Sequence, residues 1–495
     1  MNLERELKLV VPPTFRMPSL DMADVIAVVR EARFLDTVYF DTADLRLARW
    51  GASLRHRGAE GWTVKLAAGR QGDLLVREEH VFPGEDAAFP PAPAAELVRA
   101  YARTEPLLPI AHVGALRTPT QLRTEDGTVV AEVMDDDVTV QVAGVVTGRF
   151  REVEVELAEG CPDEVARAVE IRLRAAGAGV AAALAKHLRA LGYSSPPDVE
   201  IAVPTVSDRP VAGEVVRRAM AISVDRLIRH DPVVRLDTDP EGVHQARVAT
   251  RRLRSDLRTF EPLLDASWVA EMRDELRWLG EVLGGARDTD VLLERLRSRA
   301  AALPVSDRPG GAVVIGALEL ADKEAHLTVL EALRSDRYAS LLESLVVAAN
   351  EPPIGSSAAD AASDVLPGLV HGPFRSLTKA VRRAGAEAAD EDLHRIRIHA
   401  KRARYAAEAV APAVGRDAER FAEVAEELQR VLGEHQDAVV AQRWLRGWVA
   451  RGATPDAAFA AGSIAGLECA DAEATRAGWR RVWRRLDDPK LRRWM

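Results

Sequence analysis

The sequence predicts a multidomain α+β chain, with a β-rich N-terminal part followed by an all-helical, internally duplicated C-terminal part. Three observations carry that reading. Apolar–polar alternation with a period of two recurs through residues 1–190. A Pro/Ser-rich stretch then gives way to an Ala/Leu/Arg/Glu-rich helical pattern. Within that pattern two motifs recur in order, at offsets of 150 and 149 residues. The length of 495 residues suggests two or three domains, and 47% hydrophobic with 29% charged residues is the balance of a soluble globular chain.

Composition also excludes several classes. No apolar run approaches the roughly 20 residues of a membrane span. The opening "MNLERELKLVVPP" has no signal-peptide apolar block, and Cys161 and Cys469 lie too far apart for a disulfide scaffold, so a cytoplasmic location is expected. A formal net charge of −9 argues against general nucleic-acid binding, although strongly basic stripes occur locally.

Taken in order, "LERELKL", "ASLRHR", "WTVKL", "VREEHVF" and "FREVEVEL" read as strands within residues 1–195, with one helix near 164–176 where Val165, Val169 and Leu173 share a face. Residues 196–210 read as a linker. Residues 211–495 read as helical halves at about 211–349 and 358–495. "VHQARVATRRLRSDLR" (243–258) matches "LHRIRIHAKRARYAAE" (393–408), and "LGGARDTDV" (283–291) matches "LGEHQDAVV" (432–440).

The strands segregate their charges. Glu4, Glu6 and Lys8 alternate with Leu3, Leu7 and Leu9, so in a strand they share one side. The same parity holds for Arg55 with Arg57, Thr63 with Lys65, and Glu152, Glu154 and Glu156 against Val153, Val155 and Leu157. A single such strand is ordinarily half-solvated. Acid triplets and basic pairs on different strands instead suit a closed barrel with both signs in one lumen. There, carboxylates can hold hard divalent cations and Arg/Lys can grip phosphate oxygens.

The opening Glu4-x-Glu6-x-Lys8, followed by "YFDTADLRLARWGASLRHR" and "WTVKL", resembles the CYTH superfamily of triphosphate tunnel metalloenzymes over roughly residues 1–195. The resemblance implies an eight-stranded antiparallel tunnel that binds a triphosphate with Mg²⁺ or Mn²⁺. By that resemblance Glu4 and Glu6 are metal-binding acids. Lys8, Arg55, Arg57, Lys65 and Lys186 are catalytic phosphate-contacting cations. Glu79 is a further metal acid, with Glu78 as its rival, and the late acidic strand supplies the metal acids Glu152 and Glu154, with Glu156 as a further option. Asp135 is the choice for the metal-site aspartate, with Asp136 and Asp137 one residue away. Arg117 and Arg123 compete as substrate-binding arginines in "LRTPTQLRTEDG", where Pro119 is expected to distort the strand.

At about 100° per residue, His244, Arg247, Arg251, Arg254 and Arg258 fall within an arc of about 80°, opposite Ala246, Ala249, Leu253, Leu257 and Phe260. His394, Arg397, Lys401 and Arg404 repeat the stripe. Solvated faces usually interleave acids to relieve such repulsion, and these do not. An extended polyanion is the expected ligand, and the scarcity of stacking aromatics disfavours single-stranded nucleic acid. The two copies resemble a CHAD domain, the conserved-histidine α-helical domain, over about residues 211–495. That resemblance implies two four-helix bundles and inorganic polyphosphate binding, with Arg252 and Arg402 joining the residues above.

The combined expectation is metal-dependent hydrolysis of inorganic triphosphate or a related linear triphosphate, coupled to polyphosphate binding and to association with polyphosphate granules. The alternatives are a non-catalytic polyphosphate-binding protein and, behind it, a class IV-type adenylate cyclase. No specific nucleic-acid or membrane partner is expected.

Overall fold

The computed structural model describes residues 2–71, 74–86, 88–180, 184–385, 387–476 and 478–495. These form two compact units, Met1–Glu200 and Ile201–Met495.

The first unit is built on strands β1 (Asn2–Val11), β2 (Val25–Val29), β3 (Arg33–Asp41), β4 (Ser53–Arg57), β5 (Gly61–Gln71), β6 (Leu74–Phe82), β7 (Leu108–Thr124), β8 (Val129–Val142), β9 (Val145–Leu157) and β10 (Gly179–Val180). Short helices α1 (Arg46–Arg49), α2 (Ala92–Leu97) and α3 (Arg99–Ala102) interrupt them, and α4 (Asp163–Ala175) and α5 (Lys186–Ala190) follow β9. The antiparallel order β1-β6-β5-β4-β3-β7-β8-β9 closes because β1 also pairs with β9. Eight strands therefore make a barrel, with β2 added to β7 and β10 to β1.

Alternation explains the barrel's two faces. Glu4, Glu6 and Lys8 of β1 and Glu152, Glu154 and Glu156 of β9 point into the lumen. Leu7, Leu9, Val11, Val153, Val155 and Leu157 point out, but not into water: they are buried with Leu122, Val133 and the Val169–Leu173 face of α4. Burying each of those two helix residues contributes about 1.5–3 kcal/mol. The charged face is thus enclosed and the apolar face is covered, so neither is a solvated sheet surface.

Pro119 does not distort its strand. β7 runs through it opposite Met134, its carbonyl accepts a hydrogen bond from the Arg30 amide (2.8 Å), and the register shifts only between Leu122 and Arg123. Glu200, expected in the linker, belongs to this unit: its buried carboxylate accepts from Trp50 Nε1 (2.6 Å) and from Arg103.

The second unit is helical, with α6 (Ala212–Leu236), α7 (Pro240–Thr259), α8 (Ala266–Ala301), α9 (Arg308–Arg334), α10 (Asp336–Asn350), α11 (Ala362–Ala384), α12 (Asp390–Val414), α13 (Arg416–Ala450), α14 (Pro455–Arg476), α15 (Trp479–Leu486) and α16 (Pro489–Arg492). The duplicated motifs fall on α7 and α12, and on α8 and α13. Pro240 starts α7 behind the Asp239 cap, whose carboxylate accepts from the Glu241 amide (2.8 Å). Ala246, Ala249, Leu253, Leu257 and Phe260 are all buried, as the helical spacing requires. Leu292, Leu293 and Leu296 of α8 and Val314 and Leu318 of α9 share one core with Ala441 and Leu445 of α13 and Ile464 of α14, so the two halves of this unit are packed together. Among the described residues, no helix is long and apolar enough to cross a membrane.

Candidate functional site

Register places the lumen charges directly across from one another. Lys8 faces Glu154 and Glu6 faces Glu156 between β1 and β9, while Asp136 faces Glu152 between β8 and β9. Arg117 faces Asp136, Tyr39 faces Arg55, and Lys65 faces Glu79. All of these but Glu6, Asp136 and Glu152 line a cavity of about 170 Å³. Apart from Ala185, every side chain lining it carries a charged or polar group.

The opposite charges are paired tightly. Lys65 Nζ reaches the Glu4 carboxylate at 2.5 and 2.8 Å. Lys8 donates to Glu154 at 2.6 Å. Arg117 grips Asp136 through Nε and Nη2 (2.8 and 2.7 Å) and reaches Glu154 at 2.7 Å. Lys186 Nζ stands 2.7 Å from Asp136, 3.0 Å from Glu152 and 2.9 Å from Glu154. Burial alone would favour neutral forms here. The Lys186 and Lys8 charges nevertheless hold Glu154 well below the usual carboxylate range, and those carboxylates raise both lysines.

Two groups go the other way. Burial, reinforced by neighbouring Glu4, pushes the Glu156 carboxyl up to about 8, so it is protonated at neutral pH. Burial and then Arg77 push His187 down to about 3, leaving a neutral imidazole whose ring lies 4.9 Å from that of Tyr39. Burial would raise the Tyr39 hydroxyl, but Arg55 and the other lumen cations bring it below its ordinary value.

Several expected site residues meet here: Glu4, Lys8, Arg55, Lys65, Glu79, Arg117, Glu154 and Lys186 line the cavity. Glu6 and Glu152 are buried just behind, and Arg57 donates to Thr37 Oγ1 (3.1 Å) and to Glu60 (3.1 Å). Two expectations are corrected. Asp135 lies on the outer face, where Arg151 binds it (2.8 and 2.6 Å); Asp136, one residue on, is the fully buried lumen aspartate. Arg123 bonds Gln121 and the Gly127 carbonyl outside the cavity, which leaves Arg117 as the lumen arginine. Glu78 approaches His80 rather than the cavity. Arg77, Tyr39, Ser53 and His187 line the cavity without having been foreseen; the parity of Glu79 would have found Arg77.

Carboxylate oxygens gather in two places. Glu4, Glu6 and Glu156 form one group and Asp136, Glu152 and Glu154 another, each with oxygens within 4.8 Å of one another. The second group already has Lys186 at its centre. In the first, Glu6 Oε1 is buried without a hydrogen bond, its ion-pair partner Arg77 Nη1 standing 3.4 Å away, and Lys65 binds Glu4. An all-oxygen donor set with a buried oxygen short of a hydrogen bond fits a hard divalent cation.

In the helical unit, α7 and α12 bring their basic stripes to one groove. A cavity of about 390 Å³ is lined by His244, Arg247, Arg251, His394, Arg397 and Lys401, with Arg287, Asp288 and Arg295 from α8 and Gln436 and Asp437 from α13. A second cavity of about 220 Å³ shares Arg251, Arg397 and Lys401 and adds Arg254, Arg258, Arg402 and Tyr405. The acids missing from the stripes come from the neighbouring helices. Asp288 of the first "LG…D" motif accepts from Arg247 at 2.6 Å, and Asp437 of the second lines the same wall. His394 Nδ1 bonds Gln436 Oε1 (2.9 Å).

Arg252 and Arg404 are corrected as groove residues. Glu408 pairs with both, Asp256 adds to Arg252 (3.3 Å) and Glu426 to Arg404 (2.7 Å), so they tie helices together rather than line either cavity. Among the described residues no acid pairs with Lys401. Burial and the surrounding Arg251, Arg397, Arg247 and Arg404 bring its ammonium down to about 6.

Comparisons with known proteins agree with this division. The CYTH domain family matches residues 2–184 and the CHAD domain family residues 218–446. The chain is 34% identical over 475 residues to the "Uncharacterized protein Rv2226" of Mycobacterium tuberculosis (strain ATCC 25618 / H37Rv), covering 90% of this chain and 88% of that protein. Among solved structures, PptA from Streptomyces chartreusis is similar at 26% identity and a TM-score of 0.47, over 55% of this chain and 99% of that one. The CHAD domain from the plant Ricinus communis is similar at 26% identity and a TM-score of 0.48, over 58% and 96%. The chain thus belongs to the CYTH–CHAD proteins, a CYTH barrel and a CHAD helical domain in one polypeptide.

Proposed function

We propose that the barrel hydrolyses inorganic triphosphate or a similarly short linear triphosphate with Mg²⁺ or Mn²⁺, and that the helical groove binds inorganic polyphosphate. One observation carries the first part: a small enclosed lumen in which Ala185 is the one lining residue without a charged or polar side chain. Such a cavity suits a compact multivalent anion with its counter-cation. Among the described lining residues the only rings are those of Tyr39 and His187, set among charged groups, which favours a compact anion over a nucleotide.

Glu4 and Glu6, with Glu156 beside them, would hold the divalent cation, which supplies charge neutralisation at phosphate oxygens and a polarised water. Lys8, Arg55, Lys65, Arg117 and Lys186 supply fixed positive charge around the transferring phosphoryl group, where developing negative charge is best stabilised by preorganised donors in a water-poor site. Asp136, Glu152 and Glu154 are positioning residues: they hold Arg117, Lys186 and Lys8 at fixed points. In the metal-free barrel Glu156 holds a proton at neutral pH, which it would release on joining Glu4 and Glu6 at the cation.

The groove reading rests on two stripes from different halves converging on shared cavities. Most of the affinity would come from counterion release, with steep salt dependence. The decisive experiment measures phosphate release from triphosphate, ATP and long-chain polyphosphate, with and without Mg²⁺, in wild type and in Glu4→Gln/Glu6→Gln. Mg²⁺-dependent triphosphate turnover that drops at least about 10²-fold in the folded double variant is expected. Unchanged turnover in that variant would remove the tunnel mechanism. A wild type inert on every triphosphate that still binds polyphosphate would establish the non-catalytic alternative.

A further inference from the structure

A second candidate metal site lies in the helical unit, on helices that the basic stripes do not use. Asp322 and His326 are four residues apart on α9 and therefore share a face. That face packs against α8, which supplies Asp290. His326 Nε2 stands 3.0 Å from Asp290 Oδ1 and 4.0 Å from Asp322 Oδ1, and one ligand atom from each of the three residues lies within 4.8 Å of the others. His326 Nδ1 is hydrogen-bonded to the carboxylate of Asp237, the left-handed residue that ends α6 (φ 50°).

We infer that Asp290, Asp322 and His326 Nε2 form a binding site for a divalent ion of the Zn²⁺ class, with Asp237 orienting the imidazole. With its Nδ1 proton given to Asp237, the ring turns the Nε2 lone pair toward two carboxylates. This is the carboxylate–histidine–metal arrangement in which an outer carboxylate fixes the tautomer and raises ligand basicity.

The rival is a histidinium held by its acidic neighbours, and the oxygens distinguish the two. The Asp290 side chain is nine-tenths buried, yet its Oδ2 accepts no hydrogen bond; neither does the buried Oδ1 of Asp322. The nearest cation to Asp290 Oδ2, Arg287 Nη1, is 3.9 Å away, beyond hydrogen-bonding range. A proton on Nε2 satisfies one oxygen and leaves two buried carboxylate oxygens orphaned, which is unfavourable. A metal ion taking one oxygen from each carboxylate together with Nε2 engages both acids, which a single proton does not.

One imidazole with two carboxylates is a borderline donor set, unlike the all-oxygen set of the barrel, so the two sites select different ions. Three protein ligands leave coordination positions open. The three residues border a cavity of about 680 Å³ that Arg287, Arg297 and Lys323 line together with Asp237, Asp239 and Glu294, a setting for water.

The test uses the full-length protein, stripped of metal by chelation and titrated with Zn²⁺ against a chromophoric competitor in excess Mg²⁺, so that all-oxygen sites are filled. Wild type should retain about one tight Zn²⁺ equivalent. His326→Ala should lose it, and Asp237→Asn should keep the stoichiometry while weakening affinity about 10–100-fold. Co²⁺ substitution should give visible d–d absorption in wild type that is absent in His326→Ala. His326→Gln, closer in size and polarity, serves as the second variant if the alanine form misfolds by circular dichroism. Equal Zn²⁺ stoichiometry and affinity in wild type and either folded His326 variant would overturn the inference.

Discussion

Lys401 offers a sharp test of the groove, because its charge state is set by its neighbours. Its ammonium is brought from the ordinary 10.5 down to about 6 by burial and by Arg251, Arg397, Arg247 and Arg404. At pH 7.5 only about 3% of ligand-free molecules therefore carry the charge. A polyphosphate chain laid along those arginines neutralises the field that discharges Lys401, so binding should draw in about one proton per groove at pH 7.5. Affinity should accordingly fall about ninefold between pH 7 and 8 from this residue alone. Calorimetric titration with long-chain polyphosphate at constant ionic strength, in buffers of different ionisation enthalpy, reads the proton count directly. Lys401→Met should lose the uptake and flatten the pH slope. Burial and then Arg287 hold His244 below its ordinary value, so a His244→Asn control separates its contribution. The sign for stability is opposite to that for binding. The unfolded chain binds more protons between about pH 6 and 10.5, so ligand-free protein should gain stability as pH rises through that window, and Lys401→Met should not. Equal proton uptake in wild type and Lys401→Met would refute the charge-regulated groove.

Neighbouring aspartates should behave differently in the barrel. Asp136→Asn leaves Arg117 and Lys186 short of a buried partner and should destabilise by about 3–5 kcal/mol, whereas Asp135→Asn loses only a part-exposed pair with Arg151, worth at most about 1 kcal/mol; urea denaturation compares them, and equal losses would place Asp135 in the lumen. Glu156 gives a pH signature in chelator-treated protein. Its folded-state carboxyl is raised, so the stability it confers is full at acid pH and is lost as pH rises through about 8. Thermal unfolding from pH 6.5 to 9 should therefore show a decline that Glu156→Gln flattens, and parallel curves would reject the buried, protonated assignment.

Much of the site was legible in the sequence because alternation in a strand carries a side. Once Glu4, Glu6 and Lys8 share a face with one another, and Glu152, Glu154 and Glu156 do likewise, closure of the sheet brings the two sets together. The duplicated His-Arg-Lys helices were equally plain, since a 3.6-residue period fixes which residues share a stripe. Tertiary structure decided what local pattern cannot. "MDDDV" offers three aspartates, and only the register between β8 and β9 turns Asp136 inward and leaves Asp135 on Arg151. Arg117 and Arg123 have the same parity, but Arg123 stands six residues further along β7, where it bonds Gln121 and the Gly127 carbonyl, and only Arg117 of the two lines the cavity. Arg252 and Arg404 looked like groove residues until Glu408 proved to stand between them. Of the Asp290–Asp322–His326 cluster the sequence shows only the four-residue spacing of Asp322 and His326; Asp290 from α8 and the orienting Asp237 from the end of α6 join them through packing alone.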